Sequence, residues 1–257
     1  MKQIVKTALR QYLPFLVLLL ILLAGWEAAS KAGWVASYIL PSPGSIFNAL
    51  VRNLDLLLSV HLPATLLEVM TGFLLSVLLG TLLGTGMHLS RVLEKAVYPF
   101  VVISQTIPLI ALSPVFIMWF GYSLWSKVAV VLLTAFFPVV VGTYDGLRTG
   151  GGMYRELLLT MGASPRQLLL KIGVPLALPS YFSGLKLCIV YCVIGATLGE
   201  WLGGSRGLGY FSRRMAGNLQ SAEMFASILM LSVLGLVLFL LMAGMEKMIV
   251  KKRGHSR

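Results

Sequence analysis

Residues Ala64–Leu89 read ATLLEVMTGFLLSVLLGTLLGTGMHL, with Glu68 as the one Asp, Glu, Lys or Arg among them. The run exceeds the roughly 20 residues with which an α-helix crosses the hydrocarbon core of a bilayer. Lipid offers no water to unpaired backbone N–H and C=O groups, so a segment this long and this apolar must be a helix. Ala64, Glu68, Gly72, Ser76, Gly80 and Gly84 recur at a spacing of four, which places them on one helical face. A face of small residues admits a second helix at close range, the main packing mode in lipid; the alternative is that it lines a pathway. Glu68 stands out on that face, because an intramembrane carboxylate normally faces protein or water.

Working outward, five further segments have similar character: Leu13–Trp34, Val97–Phe120, Lys127–Thr143, Tyr181–Leu202 and Phe225–Lys247. The fold class is therefore all-α, a polytopic membrane protein of six transmembrane helices. A membrane β-barrel needs strands of about ten residues with alternating polarity, and nothing here alternates. Lys2, Lys6 and Arg10 before the first apolar run resemble a signal peptide. The run continues to about Val35 and further spans follow, so an uncleaved first helix is expected. Pro99, Pro108 and Pro114 with Gln105 and Ser113 mark the third span as kinked and central, and Pro138 bends the fourth.

Lysine and arginine in the connections set the orientation. With the N-terminus inside, the cytoplasmic segments hold fourteen basic residues. The external ones hold six, namely Lys31, Arg52, Lys127, Arg206, Arg213 and Arg214, and Lys186 lies near a boundary. Both termini are therefore expected in the cytoplasm, with the three arginines of the last external loop running against the bias.

Composition agrees: 58% of the 257 residues are hydrophobic and 12% charged, with a mean hydropathy of +0.88. Soluble domains carry about 25% charged residues. The spans consume most of the chain, which reads as a single membrane domain over 1–257. The net charge of +12 sits at the ends of apolar runs, not in a patch interleaved with aromatics, which argues against nucleic-acid binding. Cys188 and Cys192 share a helical face, yet two thiols with no nearby histidine make no zinc site; they read as small packing residues. No phosphate loop, HExxH or GxSxG pattern occurs. Gly150-Gly151-Gly152 lacks a following lysine and reads as a joint.

The connection from about 144 to 180 is too long for a simple turn. Met153–Met161 forms one helical piece that stops at Gly162, a residue suited to a helix C-terminus. Ser164 then N-caps a second helix, with Pro165 at its first position and Gln167 completing a capping box. Leu168, Leu169 and Leu170 follow, and Pro175 and Pro179 end the element. Leucines on such an exposed pair of helices either dock into a partner or lie in the membrane interface.

This loop resembles that of the permeases of binding-protein-dependent ABC importers, which has the form E-A-A, three residues, G, nine residues, I, one residue, L-P. Glu156-Leu157-Leu158, Gly162, Ile172 and Val174-Pro175 keep every spacing, with apolar residues in place of both alanines and the final leucine. Leu40-Pro41-Ser42-Pro43 and Gly207-Leu208-Gly209-Tyr210 look like the branch importing nitrate, sulfonates, taurine and thiamine precursors. Ser104-Gln105-Thr106-Ile107-Pro108 and Gly199-Glu200-Trp201-Leu202-Gly203 are similar to permeases for the hydroxymethylpyrimidine precursor of thiamine. Read without the family, Gly207–Tyr210 is an ordinary turn and Trp201 an interfacial anchor.

The resemblance implies a transport subunit, not an enzyme, in the cell inner membrane. It implies a second permease copy forming a homodimer, two cytoplasmic ABC ATPase subunits that use the ATP, and an extracytoplasmic solute-binding protein. No cofactor is implied for this chain. Glu156, Gly162, Ala163, Ser164, Ile172 and Pro175 are the expected coupling residues, and Gln105, Trp119 and Glu200 the expected pathway residues. Glu200 has a second reading, in which it holds a neighbouring loop. The rival classes are an ion-driven secondary transporter, which predicts coupled carboxylates at mid-membrane and broken helices in paired repeats, and a membrane-embedded enzyme.

Overall fold

The computed structural model describes the backbone of residues 2–254 and the side chains of residues 13–15, 17–149 and 158–250. Ten α-helices and two π-helical turns follow in order, and no strand occurs among the described residues. Helices α1 (Lys2–Lys31), α2 (Pro43–Leu56) and α3 (Leu62–Leu89) lead to α4 (Arg91–Ser104) and α5 (Leu109–Phe120). Then come α6 (Leu124–Thr160), α7 (Pro165–Leu168), α8 (Val174–Gly203), α9 (Leu208–Gly217) and α10 (Ser221–Gly254).

The centre is α6, clasped between α3 and α8. The small-residue face of α3 makes this contact: a Cβ on Gly80 would stand 2.6 Å from Val139 Cβ, and one on Gly84 2.7 Å from Thr143 Cβ. On the other side a Cβ on Gly195 would stand 2.8 Å from Val131 Cα. Glycine brings the backbones together where no water-driven force acts between helices, so contact area and dispersion hold them. Val131, Val139, Cys188, Cys192 and Ala196 fill the seam with no exposed surface. Of the two readings for the α3 stripe, packing is what the structure displays.

Five helical segments are long and apolar enough to cross a membrane: Leu13–Lys31, Pro43–Leu89, Leu124–Thr149, Pro165–Gly203 and Ser221–Val250. The sixth is broken. α4 and α5 meet at 101°, a sharper event than the expected kink. Pro108 lacks an N–H and drives Ile107 out of the helical region. Beside the break Thr106 Oγ1 donates to Ile103 O at 2.8 Å and Ser104 Oγ to Val101 O at 2.7 Å. Nor is this segment central within the chain. Val101 and Ser113 are the buried residues of α4 and α5, because the glycine-lined seats against α6 belong to α3 and α8.

Helix limits also differ from expectation. The second span begins at Pro43 and not at Ala64, through the π-turn Leu57–His61. The shortest expected span lies inside the longest helix, α6, which continues through Gly150–Gly152, the expected joint. Met153–Met161 is therefore mostly the end of α6, not a separate piece. Pro175 and Pro179 do not end the next element, since the π-turn Leu169–Gly173 carries it into α8. In both places the π-turn precedes a proline, Pro63 or Pro175, at the start of the following helix. A widened turn makes room for the ring and for the carbonyl that proline leaves unpaired.

Candidate functional site

Two constructed sites lie at opposite ends of α8, whose 30 residues span about 45 Å at the helical rise.

At the first end α6 stops on Gly162, with φ +83°. Ala163 N donates to Leu158 O at 2.9 Å and Gly162 N to Leu159 O at 3.0 Å, the paired bonds of a Schellman motif. Two residues later Ser164 N-caps α7. Gln167 N donates to Ser164 Oγ at 3.3 Å and Ser164 N to Gln167 Oε1 at 2.9 Å, so the expected capping box forms. Both helix ends are thus satisfied inside a link of minimal length. Gly162 and Ser164 are exposed and Ala163 half-buried. Ile172 lines a cleft of about 340 Å³ with His88, Leu147, Leu159 and Leu168, packing the loop against the ends of α3 and α6. Pro175 is half-buried in the first turn of α8. The side chain of Glu156 lies outside the described residues. Met161, 73% exposed, and Leu170, 66% exposed, project from the loop.

At the other end Gly207, with φ +114°, turns the chain into α9. The first amides of a helix have no intrahelical acceptor, and here other helices supply all of them. Gly207 N donates to His61 Nδ1 at 3.1 Å and Leu208 N to Thr65 Oγ1 at 2.8 Å. Gly209 N and Tyr210 N donate to Glu200 Oε2 at 2.5 and 3.3 Å. Thr65 Oγ1 donates to Glu200 Oε1 at 2.6 Å. A negative carboxylate at a helix N-terminus also meets the positive end of the dipole. Glu200 has no exposed surface. A Cβ on Gly207 would fall on its carboxylate, so glycine is required there by both space and φ. Ser227 Oγ donates to Leu208 O at 2.6 Å and Trp201 Nε1 to Ser212 Oγ at 3.1 Å. Beside this network Lys127 Nζ donates to Glu68 Oε1 at 2.6 Å, a buried ion pair joining α3 to α6. Glu68 Oε2 has no hydrogen-bond partner among the described residues.

Comparison with known proteins decides the family. Residues 72–255 match the family described as binding-protein-dependent transport system inner membrane component. The chain belongs to this family. Over 96% of both chains it is 46% identical to the formylaminopyrimidine transport permease ThiX of Halalkalibacterium halodurans. It is 33% identical to the riboflavin transport system permease RibX of Chloroflexus aurantiacus, over 91% of this chain and 88% of that one. A solved inward-facing MetNI methionine ABC transporter shares the fold, with TM-score 0.63 and 17% identity over 79% of this chain and 97% of that one.

Within this permease the three expected pathway residues stand apart. Gln105 is exposed at the break after α4, its Nε2 donating to Ser104 Oγ at 3.2 Å. Trp119 is 69% exposed on α5, edge-on to Phe116 and Phe120 at 6.0 and 6.5 Å. Glu200 is buried elsewhere, and no described contact joins it to either. Of its two readings, the geometry described above is that of a residue holding the loop. His61, Thr65 and Lys127 were missed in the sequence. Their partners lie 59 to 146 residues away in the chain, beyond any spacing rule. The one available signal was an acid shortly before a glycine-rich turn. A further unforeseen tie links α4 to α6: Tyr144 Oη donates to Glu94 Oε1 at 2.5 Å and itself accepts from Arg148 Nη1 at 3.3 Å.

Proposed function

We propose that this permease carries a small aminopyrimidine solute of the thiamine-precursor type across the membrane, taking it from an extracytoplasmic binding protein. Two copies form a homodimer, with termini in the cytoplasm, and two ATPase subunits drive it. The observation that carries the substrate reading is the 46% identity, along nearly the whole of both chains, to a formylaminopyrimidine permease. The short motifs around Gln105 and Glu200 point the same way.

Glu156, Gly162, Ala163, Ser164, Ile172 and Pro175 form the coupling element. Exposed Met161 and Leu170 offer the apolar contact that seats the loop in an ATPase cleft, and the capped turn gives it stiffness. Because α7 runs through the π-turn into α8 without interruption, a push at Pro165 moves α8 as a rod. The solute path runs between the two copies. Gln105 supports this placement, since an exposed amide in a broken span needs protein or water and not lipid. The ATPases hydrolyse the ATP; this chain contributes the path and the lever.

The test is uptake into proteoliposomes holding the permease, its ATPase and its binding protein. ATP-dependent accumulation of labelled formylaminopyrimidine or hydroxymethylpyrimidine, with taurine and nitrate excluded, is expected. Preference for taurine, sulfonates or nitrate would move the substrate to the other branch members. Uptake driven by an ion gradient without ATP would sink the whole reading.

A further inference from the structure

Lipid supplies no partners to open backbone, so a span broken at membrane depth must meet protein or water there. The break between α4 and α5 lies at such a depth. Val101, one helical turn before Gln105, packs with Phe136 and Val140, which sit about halfway along the crossing segment Leu124–Thr149. Gln105, Thr106, Ile107 and Pro108 are all exposed at the break.

Two properties of the break fit a solute. First, it keeps hydrogen-bonding capacity open. A carboxamide has two N–H donors and an acceptor oxygen. The described bond of the Gln105 side chain runs from Nε2 to Ser104 Oγ at 3.2 Å, so Oε1 and one N–H stay available. The Ile107 N–H, outside both helices, makes no hydrogen bond among the described residues. Second, the broken span is uncharged. From Val97 to Ser126 the chain holds no Asp, Glu, Lys, Arg or His. Lys127 on α6 and Lys186 on α8 are already paired, with Glu68 at 2.6 Å and Glu246 at 2.7 Å. A nitrate or sulfonate anion would therefore pass this depth with no cation on the broken span to meet it, which is costly away from water. A neutral solute with polar edges finds donors and an acceptor at the same place.

We propose that the Gln105 carboxamide is the specificity-determining group of the path, pairing with the donor–acceptor edge of a neutral aminopyrimidine. This rests on the solute and the two-copy path proposed above. An amino group on a carbon beside a ring nitrogen sets one donor next to one acceptor. A carboxamide meets such an edge with two hydrogen bonds, as glutamine meets adenine. Methyl in place of the amino group removes the donor and leaves Oε1 facing carbon, unpaired. The second copy carries the same break, so the path holds Gln105 twice. Contact between copies alone is the weaker fit, since close packing of helices in lipid runs through small residues and the break presents Gln, Thr, Ile and Pro.

The experiment uses the permease–ATPase complex in nanodiscs without binding protein, reading displacement of labelled formylaminopyrimidine by unlabelled competitors. The wild-type complex is expected to prefer formylaminopyrimidine by about tenfold over the analogue with methyl in place of the ring amino group, and not to release the label to taurine or nitrate. Gln105→Leu should bind both pyrimidines alike and more weakly, so that the preference disappears, a change that a merely structural role would not produce. Gln105→Asn keeps the carboxamide and should retain part of the preference. Recovery of each variant with its ATPase in the wild-type ratio shows that it is folded; if Gln105→Leu is not recovered, Gln105→Met takes its place with the same expected loss. A preference that survives in the variant overturns the assignment, and separation of the two copies in that variant would assign Gln105 to the contact between them. Displacement by taurine as effective as by formylaminopyrimidine also overturns it. So does a wild-type complex that binds no formylaminopyrimidine yet imports it with binding protein and ATP. Absence of that import in the wild type is a different result, and it removes the substrate reading itself.

Discussion

Gly162 and Gly207 both hold positive φ, at +83° and +114°, yet substitution should separate them. Nothing lies within 4 Å of a Cβ built on Gly162, so Gly162→Ala pays for the backbone alone, about 1 kcal/mol. Gly162→Val adds β-branching at the same φ and should distort the Schellman link. Solute carried per ATP hydrolysed is expected to fall steeply in Gly162→Val with the complex still assembled; normal coupling would remove Gly162 from the lever. At Gly207 the added Cβ meets the Glu200 carboxylate, so Gly207→Ala should lower the melting temperature in detergent far more than Gly162→Ala. The ion pair gives a second contrast. Lys127→Met strands a buried carboxylate and is expected to cost about 3–5 kcal/mol, whereas Lys127→Met with Glu68→Leu should recover most of the loss. Thermal unfolding of the wild type and the two variants decides this, and a double variant no better than the single would show that the pair does not act as a unit.

Prolines and π-turns organise the elements. Pro63 and Pro175 each follow a π-turn and leave a long helix continuous, whereas Pro108 breaks α4 from α5 at 101°. A π-turn ahead of the proline accommodates its ring and missing N–H, and none precedes Pro108. At the loop, stiffness rests on the cap. Ser164→Ala should weaken α7 by about 1 kcal/mol. Faster hydrogen exchange confined to residues 164–173, with reduced transport, is the expected readout. Exchange unchanged there would mean that packing of Ile172 in its cleft, and not the capping box, fixes the loop.

Across the whole molecule, the Gly162–Ser164 link and the Glu200–α9 network lie towards opposite ends of α8. On the proposed orientation, with both termini in the cytoplasm, Ser205→Cys should be labelled by an impermeant maleimide added to intact cells. Ser164→Cys should be labelled after the cytoplasmic face is opened. Cys188 and Cys192 are fully buried and should stay silent in both cases, which makes the wild-type chain its own blank. The reverse labelling pattern would invert the proposed topology.

The helical fold, the crossing segments, the small-residue face of α3, the glycine stop and the capping box were all legible in the sequence. Each depends on local physics: the length of an apolar run, the four-residue period of a helix, or hydrogen bonds across three residues. The bond from Thr65 to Glu200, the Glu68–Lys127 pair, the bond from Tyr144 to Glu94, and the outward position of α4 and α5 were decided by tertiary structure alone. Those three bonds join residues 50 to 135 positions apart. A buried carboxylate must find donors wherever the packed helices bring them, and only the close approach of α3, α6 and α8 through glycine determines which donors those are.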